Sequence, residues 1–291
     1  MMIRKKALKI QERLGMRLGI AYGTSRIPVV KNTSQALSVL RELYKIGLKA
    51  FILPRELFGG IQGATDLYKT EYGNLLKLRD EAKRFNVELA LRHDSLSSEP
   101  DEILRTFSTI TSVMGCRAFL VNPSFYSKMM PRDQALRLAV HKLNEIASVL
   151  RAEGKMAIET TGRAEEVGSL EDVLEIVKRT RGMEPALNWG KIHARGAGVL
   201  RSQRDFEHVL AQVKSAIGGR WFEGAYIIFS GVGYGPSGLT KNIPIERGDL
   251  SLENMIRASM AYNLMGTLII EDPDKERFIL RNLDRIADMV R

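Results

Sequence analysis

Cysteine is almost absent from this sequence: Cys116 is the single one among 291 residues. That excludes an intrachain disulfide and a thiolate-rich zinc cluster. Its place in the apolar run that leads to Val121 marks a buried core thiol, and a reducing, cytoplasmic setting is the expectation. No apolar run reaches the roughly 18 residues that a membrane-spanning helix needs, so no membrane partner is expected. The start, Met1 to Met16, carries Arg4, Lys5, Lys6, Lys9 and Arg13 without the apolar stretch of a secretion signal. It reads as a short basic helix or arm, a loosely held extension (1–16) in front of a single domain (17–291). No low-complexity tract, Pro-rich linker or composition break divides that domain. Acidic residues are the other shortage: 34 against 44 basic ones, a net charge of +10. An excess of this kind makes polyanions such as DNA plausible partners, and it says nothing about fold.

Short apolar runs are what the sequence does have, alternating from Arg17 onward with longer segments of helical period. Leu18–Ala21, Ala50–Leu53, Val87–Leu91, Ala118–Val121, Met156–Glu159, Pro185–Asn188, Tyr226–Phe229 and Thr267–Glu271 read as strands. Between them, amphipathic stretches read as helices: Gln35–Ile46, Leu67–Phe85, Gln134–Glu153, Leu170–Thr180, Asp205–Ile217, Leu252–Leu264 and Lys275–Met289, with a shorter one near Pro100–Val113. Eight strand–helix units in under 300 residues predict a closed (β/α)8 barrel. Gly231, Gly233, Gly235 and Gly238 fall in the long segment Ser230–Ser251 and predict a shaped loop over the barrel mouth.

In barrel enzymes the chemistry sits where strands end. Here those ends read Arg92-His93-Asp94-Ser95, Asn122-Pro123-Ser124, Glu159-Thr160-Thr161-Gly162, Asn188-Trp189-Gly190-Lys191-Ile192-His193-Ala194-Arg195, Phe229-Ser230-Gly231 and Glu271-Asp272-Pro273. Glu159 ends an apolar strand, and a carboxylate there points into the mouth and needs a partner. Glu271 follows Leu268-Ile269-Ile270 in the same way, or joins Asp272 in capping the last helix. His93 is either a ligand or general acid–base at a strand end, or a hydrogen-bonded loop residue. Lys191 reads as a phosphate-binding cation, an amine nucleophile toward an abasic sugar, or a solvated lysine. His193 and Arg195, beside Gly196 and Gly198, suit a segment that lets phosphate approach the backbone. Trp189 and Tyr234 could stack on a base or pack the upper barrel layer. His141 and His208 fall within helical patterns.

Taken in order, these strand ends resemble the motif series of endonuclease IV, within the xylose isomerase-like barrels, over about residues 17 to 290. The resemblance implies a cluster of three zinc ions that hydrolyses the phosphodiester 5′ to an abasic site in DNA. His93, Glu159 and Glu271 stand where that family has a histidine and two glutamates, and they are the candidate catalytic and metal-binding residues. Asn122 and Lys191 stand where histidines are expected, Asn188 where an aspartate is expected, and Ile228 where the strand-seven histidine belongs. Thr240-Lys241-Asn242 stands near an Asp-x-His pair. The resemblance therefore implies zinc or another divalent metal, whereas the replaced ligands leave too few donors for three ions. They suggest instead that an ammonium group, Lys191 and perhaps Lys241, pairs with Glu159 and Glu271. Lys191, His193, Arg195, Lys241 and Asn242 are the candidate DNA contacts. Three functions follow: a repair protein that binds abasic or damaged DNA, cleaving it as a phosphodiester hydrolase if active; a non-catalytic barrel that binds nucleic acid or protein; and a sugar isomerase or epimerase.

Overall fold

The computed structural model describes residues 2–59, 72–93, 100–127, 130–149 and 155–290. Eight parallel strands close into the expected barrel: β1 (Met16–Ala21), β2 (Ala50–Leu53), β3 (Glu88–His93), β4 (Ala118–Val121), β5 (Lys155–Glu159), β6 (Met183–Asn188), β7 (Ala225–Gly235) and β9 (Gly266–Glu271). Neighbours follow chain order, and β9 completes the ring by pairing with both β7 and β1. Each short apolar run sits in a strand. Burial on both faces explains why these segments lack a plain polar–apolar alternation.

The period of two along each strand divides the interior from the helix layer. Ala50, Ala90, Ala118, Ala157 and Ala186 face inward with Leu120, Tyr226, Ile228 and Ile269. Leu89, Leu91, Phe119, Ile158 and Leu187 alternate with them and pack under the helices. The same parity carries inward the last residue but one of β3, Arg92, and the final residues of β5, β6 and β9, which are Glu159, Asn188 and Glu271. The barrel is thus apolar through its middle and polar at its C-terminal end.

Three segments differ from their sequence reading. Met2–Leu14 is a helix docked on the barrel, not a loose extension: Ala7, Ile10, Gln11 and Leu14 are buried. The Gln11 side-chain amide donates to Gly47 O at 2.7 Å and accepts from Leu18 N at 2.8 Å, stitching the helix to β1 and to the turn before β2. With a further bond to Ala7 O at 2.9 Å, three bonds lost at a buried position predict that Gln11→Ala costs about 1–3 kcal/mol, read as a lowered thermal midpoint. The C-terminal stretch is two helices, Glu276–Arg281 and Leu283–Met289, broken at Asn282, whose side-chain amide turns back to Phe278 O at 2.9 Å.

The third is the glycine-rich segment after β7. It is a β-hairpin rather than an irregular loop, in which the distal half of β7 pairs antiparallel with β8 (Gly238–Ile243). Gly238 has φ of +96°, and a Cβ there would collide with the Gly162 carbonyl oxygen. Leu239 N donates to that same oxygen at 2.8 Å, and Ala164 N donates to Ser237 O at 3.2 Å. The hairpin is thereby folded against the loop that follows β5. Residues 67–71 and 150–154, at the edges of two expected helices, lie outside the described residues. No described helix is long and apolar enough to cross a membrane.

Candidate functional site

At the C-terminal end of the barrel a cavity of about 310 Å³ is lined by Tyr22, Arg92, Asn122, Asn188, Lys191 and Glu271, among others, with Leu239 and Asn242 of the hairpin on its far side. Beneath it lies Glu159, completely inaccessible to solvent. Burying an ionised carboxylate is costly unless charge and hydrogen bonds compensate, and here they converge. Arg92 grips Glu159 as a fork, Nε to Oε2 at 2.7 Å and Nη2 to Oε1 at 2.5 Å. Lys191 Nζ and Asn188 Nδ2 each donate to Oε1 at 2.8 Å. The remaining arm of Arg92, Nη1, donates to Glu271 and, at 2.8 Å, to the Tyr22 hydroxyl.

Two cations and two carboxylates therefore form a closed quartet, neutral as a unit. Burial alone would raise the Glu159 pKa, but the charges and hydrogen bonds of Arg92 and Lys191 outweigh it and lower the pKa from 4.5 to about 2. Local sequence sets this geometry. The Asn188 side-chain oxygen accepts from Lys191 N at 3.1 Å, capping a short helix, Trp189–Arg195, that starts directly after β6. That helical turn aims the Lys191 ammonium back over the strand end.

The structure brings Glu159, Glu271 and Lys191 to one end of the barrel, with Lys191 bonded to Glu159 and the two glutamates joined through Arg92, rather than as an open ligand set. Arg92 is the residue that sequence reasoning passed over. It was visible in the alternation Glu88, Ala90, Arg92, which sends every second residue inward, but the neighbouring His93 drew attention as the family's ligand. His93 closes β3, and its side chain, like Asp94, lies outside the described residues. Lys191 pairs with Glu159 as expected, yet the cation that spans both glutamates is Arg92. Lys241 stands exposed on the hairpin, away from this pairing, and Asn242 borders the cavity.

His193 and Arg195 do not have the expected availability. His193 is completely buried; Leu200 N donates to Nδ1 at 3.1 Å, which leaves the ring proton on Nε2 to donate to Asp249 at 3.1 Å. Both ring nitrogens are used, so His193 joins helix to loop rather than contacting a ligand. Arg195 clamps the loop after β5, donating to Thr161 Oγ1 at 3.0 Å and to the carbonyls of Arg163, Ala164 and Glu166. The supposed glycine-rich phosphate cradle is therefore a helical turn fixed from both ends. Trp189 packs edge-on against Phe206 in the core, and Tyr234 stands edge-on to His193 with its hydroxyl donating to Asp249 at 2.6 Å.

Among the described residues, those at the mouth do not fit a divalent metal. Both oxygens of Glu159 are occupied by donors, Glu271 is held by Arg92, the Asn122 side-chain oxygen accepts from Ser124 N, and Ile228 offers no lone pair. Two fixed positive charges stand in the first coordination radius of the carboxylates, where they repel a cation. Among the described residues, no three His, Cys, Asp or Glu side chains gather as a metal site.

No family model matches the chain. A Methanocaldococcus jannaschii protein described as uncharacterized protein MJ0133 is 23% identical over 260 residues, which cover 87% of this chain and 92% of the relative. Among solved structures, SacUVDE superposes with a TM-score of 0.66 at 14% identity, covering 94% of this chain and 99% of its own. An L-ribulose 3-epimerase superposes with a TM-score of 0.64 at 14% identity, covering 94% and 98%. These likenesses show the fold, a single (β/α)8 barrel. At this level SacUVDE and the sugar epimerases stand side by side, and the narrower resemblance to endonuclease IV rests on the order of the motifs.

Proposed function

We propose that this chain is a metal-independent barrel of the endonuclease IV-like kind that binds DNA at its mouth without cleaving it. The observation that carries this reading is the Arg92 fork: a guanidinium joins Glu159 to Glu271, the two strand-end carboxylates that the resemblance assigns to metal. With Lys191 also committed to Glu159, neither Glu159 nor Glu271 is left unpaired to act as base or ligand. The chain's net charge of +10 supports a polyanionic partner, and Arg26, Arg55, Arg163, Lys241 and Arg247 are exposed at the mouth, interspersed with Glu56, Glu165 and Glu246. Lys241 and Asn242, on the hairpin, are the contacts we assign to the nucleic acid.

The test is fluorescence anisotropy with an abasic-site duplex and its intact counterpart across a salt series, with incision followed in the same samples with and without zinc, manganese or magnesium. Binding that weakens with salt at a log–log slope of several units, without incision, is the expected result, because each neutralised phosphate releases counterions. Metal-stimulated incision lost in Glu159→Ala would sink the metal-independent reading; absence of salt-sensitive binding would sink the DNA reading.

One observation favours a second function. The cavity is of the size that encloses a monosaccharide, and the side-chain amides of Asn122 and Asn242 border it. A pocket of this kind in a fold shared with an L-ribulose 3-epimerase supports sugar binding. Stabilisation of the melting transition by a ketose, with no DNA binding, would select that reading.

A further inference from the structure

On the opposite face of the barrel, a cleft of about 540 Å³ opens between the turn before β3 and the turn before β4. Its charged lining consists of Arg17, Arg79, Lys83, Arg117 and Glu88, four cations against one carboxylate and hence a surplus of three positive charges. The cations come from separate elements: Arg17 from β1, Arg79 and Lys83 from the helix Tyr72–Phe85, and Arg117 from the turn into β4. Their own partners leave donors to spare. Arg17 Nη1 reaches the Asn86 side-chain oxygen at 3.1 Å, its Nε stands 3.7 Å from Glu88, Arg117 uses Nη2 on Gly224 O at 2.8 Å, and Arg79 pairs with its exposed neighbour Asp80. Glu88 is held at the floor by Thr267 Oγ1 at 2.6 Å. Burial raises its pKa against the pull of Thr267, Arg17 and Arg117. The remaining wall, with Met114 and Leu89, is apolar, and no aromatic ring lines it.

We infer that this cleft is a second ligand site, independent of the mouth, that takes a small phosphorylated molecule, its phosphate or pyrophosphate held by the guanidinium groups of Arg17, Arg79 and Arg117 and its organic part lying on the apolar wall. Three guanidinium groups match phosphate oxygens in pairs, and a multiply charged anion balances the surplus that a single carboxylate ligand would not. The volume admits a ligand up to mononucleotide size, and the lack of an aromatic wall makes the phosphate, rather than a base, the recognised element.

Isothermal titration of the full chain with inorganic phosphate, pyrophosphate and AMP tests this site. Saturable, one-to-one binding of pyrophosphate or AMP is expected, weakened roughly tenfold or more in Arg79→Ala and in Arg117→Ala and unchanged in Lys241→Ala at the mouth. Arg79 lies on a surface helix, so its variant keeps the test valid even where Arg117→Ala folds poorly. No saturable binding of any of the three probes overturns the inference, and so does binding that survives Arg79→Ala and Arg117→Ala or that is lost in Lys241→Ala. Loss in Lys241→Ala would place the phosphate at the mouth, whereas the other outcomes leave the DNA reading untouched.

Discussion

Glu159→Gln is expected to lower the stability of the protein by about 3–5 kcal/mol, the range for removing one partner of a buried ion pair. For a chain of this size that is a fall in thermal midpoint on the order of 10 °C. The glutamine has nearly the same shape, so packing hardly changes. What changes is that Arg92 and Lys191, brought to one carboxylate at 2.5–2.8 Å, lose the charge that compensates their desolvation. Arg92→Leu is expected to cost as much, because it strands Glu159 and Glu271 together. The double variant Arg92→Leu with Glu159→Gln should cost less than the sum of the two, since each single change leaves the other residue's charge unbalanced. Thermal and urea unfolding of the three variants would measure this. A Glu159→Gln protein as stable as the wild type would show that the quartet contributes no net stability.

The second large effect is one of acid. Glu159 titrates near 4.5 when unfolded and at about 2 in the folded barrel. A carboxylate whose folded pKa is depressed adds stability above its unfolded pKa, and that stability disappears as pH falls through the folded value. The contribution of Glu159 is therefore full at pH 5 and above, and it is lost between about pH 4.5 and 2. At about 1.4 kcal/mol per pH unit, that span corresponds to on the order of 3 kcal/mol. Other carboxylates titrate over the same interval, so the informative quantity is the stability gap between wild type and Glu159→Gln, obtained from urea unfolding at each pH. The gap is expected to narrow steadily below pH 4.5. A gap that stays constant down to pH 2 would mean that Arg92 and Lys191 do not hold the folded pKa down.

Much of the fold was legible because strands buried on both faces leave unbroken apolar runs. Ala50–Leu53 and Ala118–Val121 match their strands residue for residue, and the others differ at their ends, where pairing outlasts hydrophobicity. β7 shows the limit. Its unbroken apolar run stops at Phe229, whereas the strand runs to Gly235, because a hairpin partner sustains the second half. In the site, Glu159 and Glu271 were legible as carboxylates with nowhere polar to go, and Lys191 as a cation standing where a ligand was expected. The partnership among them was not, since it depends on which strands become neighbours across the barrel. His193 misled for the opposite reason: a histidine near a strand end has the same appearance in sequence whether its ring faces a cavity or, as here, is spent on Asp249 and Leu200.

The Arg92 fork also bears on how such a barrel can change over generations. To acquire a metal centre at these carboxylates the chain would have to replace Arg92 and Lys191 and supply ligands at positions such as 188 and 228, and no order of single steps is innocuous. Losing either cation first strands a buried carboxylate, and adding an aspartate at position 188 first places a second negative charge against Glu159. Each such intermediate carries an uncompensated buried charge, so the ion quartet resists stepwise conversion into a metal site.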